Sequence, residues 1–358
     1  IWPGAAAPGL AAVTRQGPYF ALGDRPMFLM GSQAYWGQNG SVTARSPLNF
    51  ERDFSLMQDY GLHFSRSFVP FKTDSDRRQS DAMVHLAQQH RVVFYHTPNL
   101  SNTAVPEKLG EETALARTLG ERYRGVPWLA VDVCNEPSLW VTDETLVAPF
   151  NGYLQQRYQT TAALRQAWGT DEVELGQVKL ARISDRWDDL RAYDTHRFLA
   201  LVQQRWADAN RAAVRDADPA RLVSVGLMQN FGDSVHLWDP PVCHANLDFT
   251  DRHYYGPPVG QPAQLQSIDQ RLVGKPLIMG ECGAKDHPTF ATADPWGMGD
   301  DDERYNQRFD YLVHHAFGLG ATALCSWHWR DPIEGIFPCG QVRSDRVPRP
   351  SASIMRAL

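Results

Sequence analysis

The segment Leu129-Ala-Val-Asp-Val-Cys-Asn-Glu-Pro137 decides how this sequence reads. A mostly apolar run of strand length ends there on an amide, a carboxyl and a proline. An apolar body with a polar tip describes a strand buried along its length that opens onto a site at its carboxyl end. Similar short apolar runs recur at Phe28–Gly31, Phe64–Ser67, Val92–His96, Val223–Leu227, Phe249–His253, Leu277–Gly280 and Ala323–Trp327; with Leu129–Cys134 they make eight. Between them lie stretches with apolar residues near helical spacing, among them Phe50–Tyr60, Ser80–Gln89 and Gly110–Tyr123. Strands that alternate with helices imply a parallel sheet. Eight such units imply its closure into a TIM (β/α)8 barrel.

A chain of 358 residues suits that architecture, which takes about 250 residues and can exceed 400 with insertions. Residues 1–358 read as a single barrel domain, with an Ala-, Gly- and Pro-rich lead-in at 1–14. The interval 138–220 is too long for an ordinary connection. It carries its own helical patterns at Phe150–Trp168 and Tyr193–Arg215, so it reads as an extended loop and helix insertion between strands four and five. The segment from Pro338 reads as a finishing tail.

Composition is that of a globular protein, 43% apolar and 21% charged. A net charge of −6 argues against a broad nucleic-acid surface, and no apolar run reaches bilayer length. Five cysteines, none in a CxxC pair, leave at least one free thiol and give no zinc or redox motif. The chain starts at Ile1 with no charged-then-apolar leader, which is consistent with processing or trimming and leaves secreted and cytoplasmic locations both open. Thirty arginines against five lysines point to a GC-rich bacterial genome.

The strand tips are unusually polar. Arg66 stands near the end of the second run and His96 ends the third, followed by Asn135-Glu136-Pro137, His253-Tyr254-Tyr255, Gly280-Glu281-Cys282 and Trp327-His328-Trp329. In this set the sequence resembles glycoside hydrolase clan A, whose two carboxylates end the fourth and seventh barrel strands. Asn135-Glu136-Pro137 matches the fourth-strand motif, and Glu281 after Pro-Leu-Ile-Met-Gly matches the seventh-strand glutamate. Arg66, His96, His253, Tyr255 and a tryptophan of the eighth strand match family five in type and position. The stretch Tyr158 to Trp168 is similar to one in family forty-two and in some family five enzymes. The resemblance implies a retaining β-glycoside hydrolase in which Glu136 is the acid/base and Glu281 the nucleophile. It further implies that Asn135 donates to the sugar 2-hydroxyl, that His253 supports the acid/base and that His96 lines the innermost sugar site.

Chemistry alone asks for the same pair. Cleaving an acetal needs a proton for the leaving oxygen and negative charge beside a cation-like carbon; carboxyls about 5 Å apart make the second one a nucleophile. A cation at Arg66 and a phenol at Tyr255 would favour the charged form of Glu281. Trp327 and Trp329, two apart on one strand and so expected on the same side, compete as the apolar floor for a sugar ring, and Tyr35, Trp36, Trp140, Phe231 and Trp296 are further stacking candidates. His314-His315 reads as structural, and Asp300 to Glu303 as a solvated loop or helix start. The sequons at Asn39 and Asn99 carry little weight. The expected partner is an oligosaccharide or polysaccharide, with no cofactor, metal, nucleic acid or membrane. Exo action of the β-mannosidase or β-galactosidase type leads, with an endo-β-mannanase or cellulase as the alternative. A non-catalytic carbohydrate-binding barrel is the reading from another class, against which both glutamates speak. A metal hydrolase using His96 and His253 ranks last, because Met30 to Trp36 offers no His-x-His pair.

Overall fold

The chain enters through three short strands that were not expected from the sequence, lying at and beyond the end of the lead-in: β1 (Val13–Gln16), β2 (Tyr19–Leu22) and β3 (Arg25–Met27), paired antiparallel. Val13 and Phe20 turn inward from this sheet and join Leu29, Phe64, Val93, Ala130, Leu222, Phe249, Ile278 and Ala323 in one apolar cluster. The Phe20 and Phe249 rings meet edge to face at 5.3 Å, and the Val13 amide donates to the Pro127 carbonyl. The small sheet thus plugs the amino-terminal end of the barrel. The computed structural model describes residues 11–34, 47–100, 108–137, 144–180, 189–228, 239–255, 274–283, 302–331, 340–343 and 345–357.

The barrel itself follows: β4 (Leu29–Ser32), β5 (Phe64–Phe68), β6 (Val93–Thr97), β7 (Leu129–Asn135), β8 (Leu222–Leu227), β9 (Thr250–Tyr254), β10 (Leu277–Cys282) and β11 (Ala323–Ser326). Neighbours pair in parallel and β11 returns to β4, which closes the sheet. All eight strands lie within two residues of the bounds expected from the sequence. Helices α1 (Pro47–Asp59), α2 (Asp74–Gln89) and α3 (Leu109–Arg122) connect the first strands, and α8 (Asp302–Gly318) precedes β11, with α9 (Pro350–Ala357) at the end of the described chain. The outward faces of the strands pack on these helices in a second, larger apolar cluster that includes Phe54, Phe94, Val131, Val133 and Leu312.

Between β7 and β8 the expected insertion holds α4 (Val147–Tyr158), α5 (Thr161–Trp168) and α6 (Leu190–Ala217); the short α7 (Pro240–Cys243) follows β8. The helix expected over Phe150–Trp168 is two helices. Gln159 has φ 64° and Thr160 is extended, with its hydroxyl accepting from the Ala163 amide, so Thr160 ends one helix by capping the next. Among the described residues no helix is long and apolar enough to cross a membrane. Cys134, Cys243, Cys282 and Cys325 are buried and take part in no disulfide.

Strand alternation fixes which side chains face the barrel interior. On β6, Val93 and Tyr95 belong to the interior cluster while Phe94 faces the helices. His96 follows Phe94 outward: its ring lies at 5.8 Å from that of Phe94, and its Nε2 lies 3.1 Å from the Val69 carbonyl. His244 is likewise buried, its Nε2 at 2.8 Å from the Val225 carbonyl. Burial pushes both imidazoles down to about 4.

Two outcomes test this packing. Phe20→Ala should lower the unfolding free energy by about 3 kcal/mol in a denaturant titration, because the plug loses its largest apolar contact; a change below about 1 kcal/mol would show the sheet to be peripheral. The unfolded chain binds a proton at His96 near pH 6.5 and the folded chain only near about 4, so acidification through this window favours unfolding. Relative to a His96→Gln variant, the wild type should therefore lose stability as pH falls from about 6.5 toward about 4. A difference between the two that does not vary with pH would contradict the burial of a neutral imidazole.

Candidate active site

Above the apolar layer the barrel interior turns charged. Arg66, two residues beyond the interior Phe64 on β5, is fully buried. Its Nη1 donates to Glu281 Oε1 at 2.5 Å, its Nη2 to Asp132 Oδ2 at 2.5 Å and to Asn135 Oδ1 at 2.8 Å, and its Nε to Asp132 Oδ2 at 3.2 Å. Burial opposes the guanidinium charge, but Asp132, Glu281 and Asp251 outweigh it and raise the Arg66 pKa further, so the group stays charged. Asp132 Oδ2 also accepts from the Thr97 hydroxyl at 3.0 Å, and its Oδ1 accepts from the Gly226 amide at 2.9 Å. Three strands, β5, β7 and β10, are thus tied through one cation.

The two glutamates occupy different surroundings. Glu281 is nearly buried; besides Arg66 it accepts from the Tyr255 hydroxyl at 2.7 Å. Glu136 lies just past β7 with φ 45°, its amide donating to the Gly226 carbonyl, and its side chain stays partly exposed. Its Oε1 lies 2.6 Å from His253 Nδ1, and the same nitrogen is 3.7 Å from Glu281 Oε1. Burial pushes the His253 imidazole down to about 3 against the opposing pull of Glu281, so the ring is neutral and its contact with Glu136 is a hydrogen bond, not an ion pair. Ligand-type atoms of Glu136, His253 and Glu281 all fall within 4.8 Å of one another. The positive charge at this cluster is supplied by the chain itself, through Arg66 on Glu281.

Of the residues singled out by sequence, Arg66, Asn135, Glu136, His253, Tyr255 and Glu281 are brought together. His96 is not: Tyr95 faces the interior, so the residue after it cannot, and His96 lies among Phe71, Phe94 and Tyr123. Trp327 and Trp329 do not share a face, because β11 ends at Ser326 and two-residue alternation stops with it. Trp327 is part-exposed, 5.5 Å from the Phe68 ring, which in turn covers the Arg66 guanidinium at 4.9 Å. Trp329 is fully buried against Tyr60 in the helix-side core. Tyr35, Trp36, Asn39, Trp140, Phe231, Trp296 and Asp300 lie outside the described residues. His314 is exposed on α8 beside Asp310, in keeping with a structural reading.

Sequence reasoning passed over Asp132, Tyr95, Thr97, Phe68 and Asp251, all of which face the interior, and also Asn99. Counting back by twos reaches Asp251 from His253 and Asp132 from Glu136, whereas Tyr95 and Thr97 flank the outward His96 and Phe68 lies two residues past Arg66. Asn99 was noted only as a sequon, yet at φ 47° its Oδ1 accepts from the Asn135 amide at 3.0 Å and holds the loop on which Glu136 stands.

No family model matches the sequence, and no curated protein matches it. Among solved structures the chain is similar to a β-galactosidase from the haloarchaeon Halorubrum lacusprofundi, with a TM-score of 0.69 and 17% identity over 91% of this chain and 57% of that one. A β-galactosidase from Marinomonas ef1 matches at 0.69 and 16% over 92% of this chain and 58% of that one. A β-glucuronidase from Ruminococcus gnavus matches at 0.61 and 15%, over 98% and 52% respectively. The chain therefore spans about half the length of the structures it resembles, and what it shares with them is the eight-stranded barrel fold.

Proposed function

We propose that this chain is a retaining β-glycoside hydrolase, with Glu281 as nucleophile and Glu136 as acid/base. The observation that carries the reading is a carboxylate held by a cation and a phenol, Glu281 on Arg66 and Tyr255, with an oxygen of a second, more exposed carboxyl inside 4.8 Å. Retaining enzymes place the two groups about 5 to 5.5 Å apart, whereas inverting ones need room for a water between them.

In the first step Glu281 attacks the anomeric carbon while Glu136 gives its proton to the glycosidic oxygen, and the aglycone leaves as an alcohol. In the second, Glu136 takes a proton from water, the hydroxide displaces Glu281 from the sugar, and the configuration is restored. Two donors, Arg66 and Tyr255, hold the two carboxylate oxygens of Glu281 in place for attack. Arg66 already occupies Asn135 Oδ1, which leaves the amide NH2 as the donor for the sugar 2-hydroxyl. Such bonds strengthen as positive charge grows on the ring. Trp327, beside Phe68 at the rim, offers the apolar floor.

The substrate is a β-linked oligosaccharide or polysaccharide. Exo action on β-galactosides or β-mannosides fits the insertion after β7, which can wall one end of the groove, and is supported by similar folds in β-galactosidases and in an exo-β-agarase.

Three measurements test the assignment. A screen of nitrophenyl β-glycosides alongside mannan and cellulose should reveal hydrolysis that Glu281→Ala abolishes while the circular dichroism melt persists; substantial remaining activity would remove Glu281 from the role. Glu136→Ala should slow poor leaving groups by about 100-fold or more and good ones far less, with azide restoring turnover as a β-glycosyl azide; equal losses on all leaving groups would contradict the acid/base role. Proton NMR of the first-formed sugar should show the β anomer, and an α product would mean inversion.

A further inference from the structure

One buried carboxyl in the barrel is not used by the steps above. Asp251 lies on β9 two residues before His253 and is fully buried. Its Oδ2 accepts from the Tyr95 hydroxyl at 2.8 Å, whereas its Oδ1 has no hydrogen-bond partner. The nearest polar neighbour of that orphan oxygen on His253 is Nε2, 3.8 Å away, and Nε2 has no partner either. Two glycines line the space. A Cβ on Gly280 would stand 2.1 Å from Asp251 Oδ1, and one on Gly226 would stand 2.8 Å from His253 Nε2. Any other residue at these two places would displace the carboxyl, the ring or the Arg66 guanidinium, whose Nη2 would stand 2.7 Å from a Cβ on Gly226.

We propose that Asp251 is a positioning residue for the acid/base, acting through His253 to fix which ring nitrogen carries the proton. The inference rests on the reading of Glu136 as acid/base given above. A neutral imidazole has one N–H and one lone pair, and the partner on one nitrogen sets the state of the other. A carboxylate facing Nε2 in a dry interior draws the proton to Nε2. Nδ1 is then an acceptor, and its 2.6 Å contact with Glu136 Oε1 requires Glu136 to bring the hydrogen. That is the protonated state which the first chemical step consumes. The charged and titratable groups facing Asp251 are Arg66 from β5, Tyr95 from β6, Asp132 from β7 and Glu281 from β10, besides His253 on its own strand. Burial, opposed by Arg66 and reinforced by Asp132 and Glu281, pushes the Asp251 carboxyl up to about 7, so the carboxylate that orders the ring is the form present above that pH, the range in which the basic limb is read.

Asp251→Asn tests the chain of contacts. Tyr95 still donates to the amide oxygen, which turns the NH2 toward His253 Nε2, makes that nitrogen the acceptor and moves the ring proton to Nδ1. Glu136 is then favoured as the carboxylate. The basic limb of kcat/KM on a poor-leaving-group aryl β-glycoside should move to lower pH by about one unit, so that activity above the limb falls about tenfold. The loss should be smaller on a dinitrophenyl glycoside, whose leaving group needs little proton. In nitrogen-15 NMR of histidine-labelled protein, the His253 signal, assigned by its loss in His253→Gln, should change from the Nε2–H to the Nδ1–H form. An unmoved limb with an unchanged tautomer in a folded variant would overturn the proposal. So would a wild-type His253 found as Nδ1–H, a result that needs no folded variant. Failure of the underlying reading shows separately, as absence of leaving-group dependence and azide rescue in Glu136→Ala.

Discussion

A guanidinium buried at the centre of a barrel cannot stand alone. The cost of removing Arg66 from water is offset only because Asp132 and Glu281 both meet it with hydrogen-bonded carboxylates. This single constraint orders much of the site. Asp132 must reach it from β7, which leaves the following residues to bulge and turn, and the register shift between Asp132 and Asn135 is where β7 gives up regular pairing. Asn135 is oriented by the same cation, and Glu136 emerges beyond it with positive φ. Glu281 is drawn inward from β10 at a second register shift, between Met279 and Glu281. Irregularities of this kind re-aim side chains at strand ends.

The arrangement separates structural and chemical duties by depth. The lowest interior layer is apolar and sealed by Val13 and Phe20 of the entering sheet. Above it Tyr95 reaches across to Asp251, and above that stand Arg66, Asp132 and Thr97. Only at the rim do groups become partly exposed: Asn135, Glu136, Tyr255 and Trp327. The nucleophile candidate is thus supported from below by fixed charges and hydrogen bonds, while the acid/base candidate keeps contact with the open end.

Much of this was legible in the sequence because the barrel repeats one simple signal eight times, and because two motifs with unusual chemistry, Asn135-Glu136-Pro137 and Gly280-Glu281, sit on strand tips. What was not legible has physical reasons. The strands β1 to β3 are only three or four residues each, with few inward residues (Val13, Phe20, Leu22 and Met27) packed on the barrel, so local pattern gave no hint of the plug. His96 is the residue type a sugar site uses, but a one-residue step along β6 turns a side chain to the opposite face. Conversely Asp132 and Asp251 carry no motif, and their importance comes from what other strands place beside them. Trp327 and Trp329 could be separated only once the end of β11 was known.

The central claim, that Glu281 forms a covalent bond to the sugar, is tested most directly by trapping. Incubation with 2-deoxy-2-fluoro-β-glycosyl fluorides of the gluco, manno and galacto series, followed by proteolysis and mass spectrometry, should yield one fluorosugar adduct, on the peptide containing Glu281. An adduct on Glu136 or elsewhere, or turnover of a fluoride with net inversion and no adduct, would contradict the account.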